Sequence, residues 1–360
     1  MRIYLGSGFS WVPSKADSQG VLKLWQGNNK LDSYYHILQG ETDRERFRWL
    51  TMKENKVNLF LDSGAFSAQM KQLEINLDDY IKFVKEHEHV LEIYANLDVV
   101  GMPGEPPDRR SAEKTLENQK KMEAAGLKPL PAFHLGEPFE FLQYYIDNYD
   151  YLALGGIAGD SGNKLIPWLD KCFARFICDA DGMPKIKIHG YGITALTLMM
   201  RYPWYSVDST SWVLGGRLGS IYVPRYRNGQ WLYDENSWKI SVSSQSPDKK
   251  EAGKHIDTLP PKQREIILEY VHDKGYKLGK SKFKKEPQSY KLQENERWGQ
   301  KKPKNKADER LVEVIIEDGI SNRYQLRDEM NIIYFQDLEK SLPEWPWAFK
   351  RKGVKGFDLL

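Results

Sequence analysis

The chain has 360 residues, with 53 Lys and Arg against 50 Asp and Glu (net charge +3), 40% hydrophobic and 12% aromatic residues. Such a chain can bury a full core as one large or two ordinary domains, and it is neither a disordered polymer nor a uniform polycation. There is no N-terminal apolar leader and no apolar run of 18 residues, so the expectation is a cytoplasmic protein that neither enters nor crosses a membrane.

Short apolar segments recur along the chain, most ending on Gly or a polar residue: RIYLGSG (2–8), VNLFLDSG (57–64), LEIYANLD (91–98), KPLPAFHLG (128–136), YLALGGI (151–157), KIKIHGYG (185–192), YSVDST (205–210) and GSIYVP (219–224). Between most of them lie segments of helical period or composition, such as LDDYIKFVKEHEHV and RSAEKTLENQKKMEAAG, the latter ending on Gly as helices often do. Alternating strands and helices predict parallel strands with right-handed crossovers, and eight repeats favour a closed (β/α)8 TIM-like barrel. The competing open doubly wound sheet would carry a glycine-rich turn leading into a helix after its first strand, but GSGFSW is followed by no helical run. Cys172 and Cys178, six apart in WLDKCFARFICDAD, form neither a disulfide framework nor a four-ligand zinc site and read as core thiols in a reducing compartment.

Beyond the eighth segment, Asn228-Gly229 between aromatic flanks predicts a hairpin, within an insertion spanning 225–258. PPKQREIILEYVHDKGY (260–276) reads as the helix that closes the barrel, giving a catalytic domain over 1–275. Residues 276–360 read as a basic linker followed by a small helical region, with ADERLVEVIIEDGISNRYQLRDEMNIIYFQDLEKSL as two or three short helices. Residues 273–306 hold 12 Lys and Arg against 4 Asp and Glu, which suits either a solvated linker or an acidic partner such as nucleic acid.

Barrel enzymes place their catalytic groups at the C-terminal tips of strands. That rule puts Asp62, Asp98, His134, Gly155-Gly156, His189 and Asp208 on one rim. One tip carboxylate is unremarkable, since Asp often caps the next helix. Three, with no cluster of His or Cys for a metal, suggest acid–base and nucleophilic chemistry without metal or cofactor. Such a set can attack an anomeric carbon, protonate a leaving group and accept hydrogen bonds from a guanine-like edge, while Gly155 and Gly156 let backbone approach a flat heterocycle. The chemistry suggested is cleavage or exchange at an N-glycosidic bond. His189 reads as a packed, hydrogen-bonded histidine rather than a catalyst.

LDSGAF resembles the Asp-Ser-Gly-Gly-Phe-Gln motif of tRNA-guanine transglycosylases, YLALGGIAG their Gly-Gly-Leu-Ala-Val-Gly loop, and KIHGYGI…YSVDSTSW their Met-Gly-Val-Gly…Phe-Asp-Cys-Val segment, in order over about residues 57–212. The resemblance implies a (β/α)8 fold and replacement of guanine in a nucleic acid by a 7-deazaguanine base. It implies Asp208 as the nucleophile at C1′, Asp62 as general acid/base and Asp98 as the carboxylate that reads the guanine edge. Ser63, Gly64, Phe66, His134, Gly155 and Gly156 would complete the base pocket, with Phe66 or Trp212 available to stack on a base. The chain lacks the Cys-x-Cys-x-x-Cys…His zinc site of the tRNA enzymes, and Ser209-Thr210-Ser211-Trp212 replaces their Cys-Val-x-Pro-Thr-Arg. VDSTSW is similar instead to the bacterial and phage DNA-guanine transglycosylases (the DpdA group), which place 7-deazaguanines in DNA as protection against restriction.

The expected partners are therefore DNA and a free 7-deazaguanine. Backbone contacts are expected from Arg225, Arg227, Lys280, Lys282, Lys284, Lys285, Lys301 and Lys302, with Trp298 and Tyr290 as stacking platforms. A tRNA-directed exchange enzyme, a hydrolytic N-glycosidase and a non-catalytic nucleic-acid binder are the alternatives.

Overall fold

The computed structural model describes residues 1–6, 24–39, 49, 53–100, 109–156, 162–246, 249, 251–299 and 309–349. The chain divides into two units, Met1–Thr210 with Leu342–Leu360, and Ser211–Ser341. The boundary thus falls directly after the segment YSVDST, not near residue 275 as the helical pattern of 260–276 suggested.

The first unit is an α/β fold built on an eight-stranded sheet. Its strands are β1 (Arg2–Gly6), β2 (Asn29–Ser33), β3 (Asn58–Asp62), β4 (Ile93–Tyr94), β5 (Ala132–His134), β6 (Tyr151–Gly155), β7 (Lys187–Gly190) and β8 (Ser206–Ser209), in the order β4-β3-β2-β1-β8-β7-β6-β5. Every pairing is parallel. A parallel bridge between Ala95 and Leu130 joins the two outer strands, with Leu130 N–H donating to Tyr94 O (2.8 Å) and Asn96 N–H to Leu130 O (2.9 Å). The sheet therefore curls until its edges meet, an arrangement compatible with a TIM-like fold.

From β2 onward helices lie between successive strands, among them Leu77–His87, Arg109–Ala124, Phe139–Asn148, Gly162–Cys172 and Leu196–Arg201. Leu77–His87 shows why such segments are helical. Asn76 caps it by accepting from the Asp78 and Asp79 amides, Asp78 and Asp79 sit in its first turn, and Tyr80, Ile81, Val84 and His87 form one buried stripe. Residues that alternate along the strands fill the interior: Tyr4, Leu31, Phe60, Ala95, Leu130, Ala132 and Ala153, with Ile93, Tyr151 and Tyr191 against them. Cys172 and Cys178 are free and buried.

Two features depart from the sequence reading. Strand β2 is absent from the apolar pattern, because NKLDS contains a single apolar residue. Its outward-facing Lys30 and Asp32 are nevertheless buried, where they pair with each other, and Trp49 Nε1 donates to Asp32 (2.8 Å). Conversely, GSIYVP does form a strand, β9 (Ser220–Val223), but it lies in the second unit and pairs antiparallel with β12 (Trp238–Ser241). The rim carboxylates consequently fall at the third strand (Asp62), four residues beyond the fourth (Asp98) and in the eighth (Asp208), not on the second, third and seventh.

In the second unit the Asn228-Gly229 turn joins β10 (Arg225–Arg227) to β11 (Gln230–Leu232), both turn residues at positive φ (51° and 79°). Helix Pro261–Asp273 contributes Ile267, Tyr270 and Val271 to a core shared with Ile221, Val223, Ile240 and Val242, so it does not close the first unit's sheet. The supposed basic linker is a strand, β13 (Lys280–Pro287), in an antiparallel sheet with β14 (Glu296–Trp298) and β15 (Glu309–Glu317). The segment LVEVIIE, read as helical, is β15 because its β-branched Val312, Val314, Ile315 and Ile316 suit a pleated surface. One long helix, Tyr324–Ser341, comes after it. Among the described residues no helix is long and apolar enough to cross a membrane.

Candidate active site

Strand β3 ends on Asp62, and the turn beyond it is shaped around that carboxylate. Gly64 takes φ +77°, and a Cβ there would lie 2.4 Å from Tyr35 Cβ and 2.5 Å from Ser33 Oγ. Only glycine fits, and the turn it permits lets the Gly64 amide donate to Asp62 Oδ2 (3.0 Å). The buried Ser63 hydroxyl donates to Asp98 Oδ1 (3.1 Å) and accepts from the Ala65 amide (3.3 Å). Ser63-Gly64 thus ties the Asp62 tip to the Asp98 tip. Phe66, on helix Ala65–Met70, is 48% exposed, as a stacking residue would need to be.

Asp98 is held from its other side by His134. The imidazole Nε2 lies 2.8 Å from Asp98 Oδ2, and Nδ1 lies 2.9 Å from Glu137 Oε1, while Glu137 Oε2 accepts from the His134 amide (3.0 Å). Burial disfavours the imidazolium, but Asp98 and Glu137 outweigh it and raise the His134 pKa to about 10. Both ring nitrogens are spent on carboxylates and the residue is 1% exposed. His134 therefore holds Asp98 in place and has no nitrogen left for a base, contrary to its expected pocket role. Gly155 is opposite His134 in the β5–β6 register, and a Cβ there would meet the ring at 2.8 Å, so the glycine accommodates the imidazole. Gly156 turns the chain at φ +71°.

Asp208 projects from β8. Its Oδ1 accepts from the Gly192 amide (2.7 Å), and His189 Nε2 lies 3.4 Å from the same oxygen. Asp98 and Asp208 lie close enough to Asp62 to act on its carboxyl. Burial contributes most, and the charges of Asp98 and Asp208 add to it, so that Asp62 is raised to about 7 although part of its surface reaches solvent. The Tyr191 phenol feels the same three carboxylates, after burial, and is raised well above its usual range. It stays a neutral O–H at this convergence, with its ring edge-on to His189 at 4.8 Å.

Tyr191, Glu137 and Ser206 are not singled out by the sequence reading, although a signal exists. Tyr191 is two residues past His189, and Ser206 two before Asp208; alternate residues of a strand share a face. Trp212 is fully buried, so the expectation that it could stack on a base fails. Among the described residues, no group of three or more His, Cys, Asp or Glu is disposed to hold a metal ion.

The basic residues expected to grip DNA lie in the second unit. Lys280, Lys282 and Lys285 are exposed along β13. Lys284 is instead surrounded by Glu286 (3.0 Å), Glu296 (2.9 Å) and the Tyr290 hydroxyl (2.8 Å), Arg227 pairs with Glu235 (2.9 Å), and Arg225 donates to Asn236 O (2.7 Å) over the Trp238 ring. The Trp298 face is covered by the Arg310 guanidinium, 4.2 Å from its centroid. Lys301 and Lys302 lie outside the described residues. No protein-family model and no curated protein sequence matches this chain.

Proposed function

We propose that this protein is a base-exchange glycosyltransferase on a TIM-like barrel, a DNA-guanine transglycosylase that replaces guanine in DNA with a 7-deazaguanine. The observation that carries the reading is the convergence of Asp62, Asp98 and Asp208 at the C-terminal ends of three strands, one of them protonatable near neutrality. Different environments divide the labour. Asp62, raised by burial and further by two neighbouring carboxylates, can hold and release a proton near pH 7, as a general acid/base should. Asp208 is oriented by a backbone amide on Oδ1, which leaves Oδ2 for attack. Asp98 is fixed by Ser63 and His134, and each of its oxygens retains a lone pair for the N1–H and amino group of a guanine edge.

In the first half-reaction an Asp208 oxygen forms a bond to C1′ of an extruded deoxyguanosine as the C1′–N9 bond breaks, and Asp62 gives its proton to the departing guanine. In the second, the incoming 7-deazaguanine gives its N9 proton to Asp62, N9 bonds to C1′, and the Asp208 ester bond breaks. One pocket serves both bases in turn, so ping-pong kinetics are expected. The DNA target rests on the likeness of VDSTSW to the DNA-directed enzymes and on exposed lysines of β13.

The test is incubation with labelled guanine and either DNA or tRNA. Label entering DNA without net base loss supports the reading. Label entering tRNA alone makes the enzyme tRNA-directed, and base loss without incorporation makes it a hydrolase.

A further inference from the structure

We propose that His189, buried in the barrel interior, is a positioning residue that holds Asp208 for attack through a fixed Nε2–H tautomer; this rests on the reading of Asp208 as nucleophile. His189 Nδ1 lies 2.6 Å from Ser206 Oγ, and Ser206 Oγ lies 2.6 Å from the Tyr151 hydroxyl. Nε2, at the other side of the ring, is 3.4 Å from Asp208 Oδ1 and is buried with no hydrogen bond among the described residues. His189 and Ser206 are both 0% exposed. The ring is gripped edge-on by Phe60 (4.9 Å between centroids), Tyr191 (4.8 Å) and Tyr4 (6.2 Å), so it cannot swing to seek another partner.

Proton bookkeeping along this chain chooses the tautomer. If Tyr151 donates to Ser206 and Ser206 donates to Nδ1, every hydroxyl proton has an acceptor and the imidazole proton sits on Nε2, aimed at the carboxylate. In the reverse order Nδ1 donates to Ser206 and Ser206 to Tyr151. The Tyr151 proton then has no acceptor among the described residues, and a nitrogen lone pair faces an aspartate oxygen, which is repulsive. The first order wins on both counts. Asp208 Oδ1 then accepts from the Gly192 amide and faces the His189 Nε2–H at 3.4 Å, which draws it electrostatically, and Oδ2 is the oxygen left for C1′. The strand register makes this possible: His189 is paired with Ser206 across β7 and β8, one alternation below Asp208.

Two measurements test it. Long-range 15N–1H spectra of the full chain labelled at histidine, with His189 assigned by the signals lost in His189→Gln, read the tautomer with no substrate present. A proton on Nε2 is expected, and a proton on Nδ1 overturns the proposal. Single-turnover formation of the covalent protein–DNA complex is then compared across variants. His189→Leu should slow it roughly 100-fold while guanine affinity stays near wild type, although the Ser206 hydroxyl left without its acceptor lowers the thermal unfolding midpoint. His189→Gln, whose amide can donate to Asp208 and accept from Ser206, should recover most of the rate. A wild-type rate in His189→Leu overturns the proposal. Should that variant not fold, Ser206→Ala decides, since it keeps the ring but unties Nδ1: slowed formation supports the proposal and an unchanged rate overturns it. Asp208→Asn, run alongside, must form no complex. A complex in that variant overturns the nucleophile assignment itself, a different failure from that of His189.

Discussion

His134 and Asp98 form a buried ion pair, Nε2 to Oδ2 at 2.8 Å, with Glu137 closing on the opposite ring nitrogen at 2.9 Å. One cation thus holds two carboxylates, Glu137 fully buried and Asp98 partly so. Removing it leaves both uncompensated, so His134→Ala should cost about 3–5 kcal/mol in urea unfolding at neutral pH. The pH dependence has a definite sign. The folded pKa is raised to about 10 from an ordinary value near 6.5, so this stabilisation is complete below about pH 6.5 and is lost as pH rises towards about 10. In His134→Gln that loss between neutral and alkaline pH should disappear.

Asp62 works in the same sense over a lower pH window. Its folded pKa, about 7, lies above the usual 3.8, so the folded state holds a proton that the unfolded chain has released. Stability from this group is present below about pH 3.8 and is lost as pH rises to about 7. Asp62→Asn should therefore be more stable than wild type at pH 8, by on the order of 2 kcal/mol, while base exchange is nearly abolished. A variant both less stable and active would contradict this.

Gly64→Ala adds a methyl group where φ is +77° and where Tyr35 and Ser33 leave no space. It should cost more than about 2 kcal/mol and displace the amide that holds Asp62, so exchange should fall further than stability alone explains. Thermal unfolding and exchange rate measured on the same preparation separate the two effects.

Lys280, Lys282 and Lys285 are the exposed cations of β13. If they bind phosphates, replacing them with Glu should weaken DNA binding and lower the salt slope by about 1 for each lysine so engaged. Affinity for free guanine should not change. An unaltered slope would remove this strand from the DNA-binding surface.

Much of the first unit was legible because buried parallel strands read as short apolar runs, and seven of the eight predicted segments do form its sheet. The eighth member was hidden because β2 buries its charges in pairs, and pairing between residues distant in sequence leaves no local pattern: Trp49 reaches Asp32 from 17 positions away. GSIYVP read correctly as a strand but not as to its partner, since an isolated strand does not declare whether it pairs parallel or antiparallel. In β13 the count of lysines concealed that Lys284 is neutralised by Glu286 and Glu296, and its pairing with Glu296 depends on how the sheet brings distant strands together. Asp62, Asp98 and Asp208 were visible as carboxylates ending apolar runs. The supports around them were less so: His134 was singled out for a base, whereas Asp98 and Glu137 take both of its ring nitrogens, and His189 is packed and hydrogen-bonded as read, but nothing in KIKIHGYG shows that Ser206 and Asp208 sit across from it.

The most direct test of the central claim is to trap the protein–DNA complex under denaturing conditions, digest it and locate the modified residue by mass spectrometry. The deoxyribosyl group is expected on Asp208, with no complex in Asp208→Asn. A complex mapped to another residue, or one that survives in Asp208→Asn, would contradict the account.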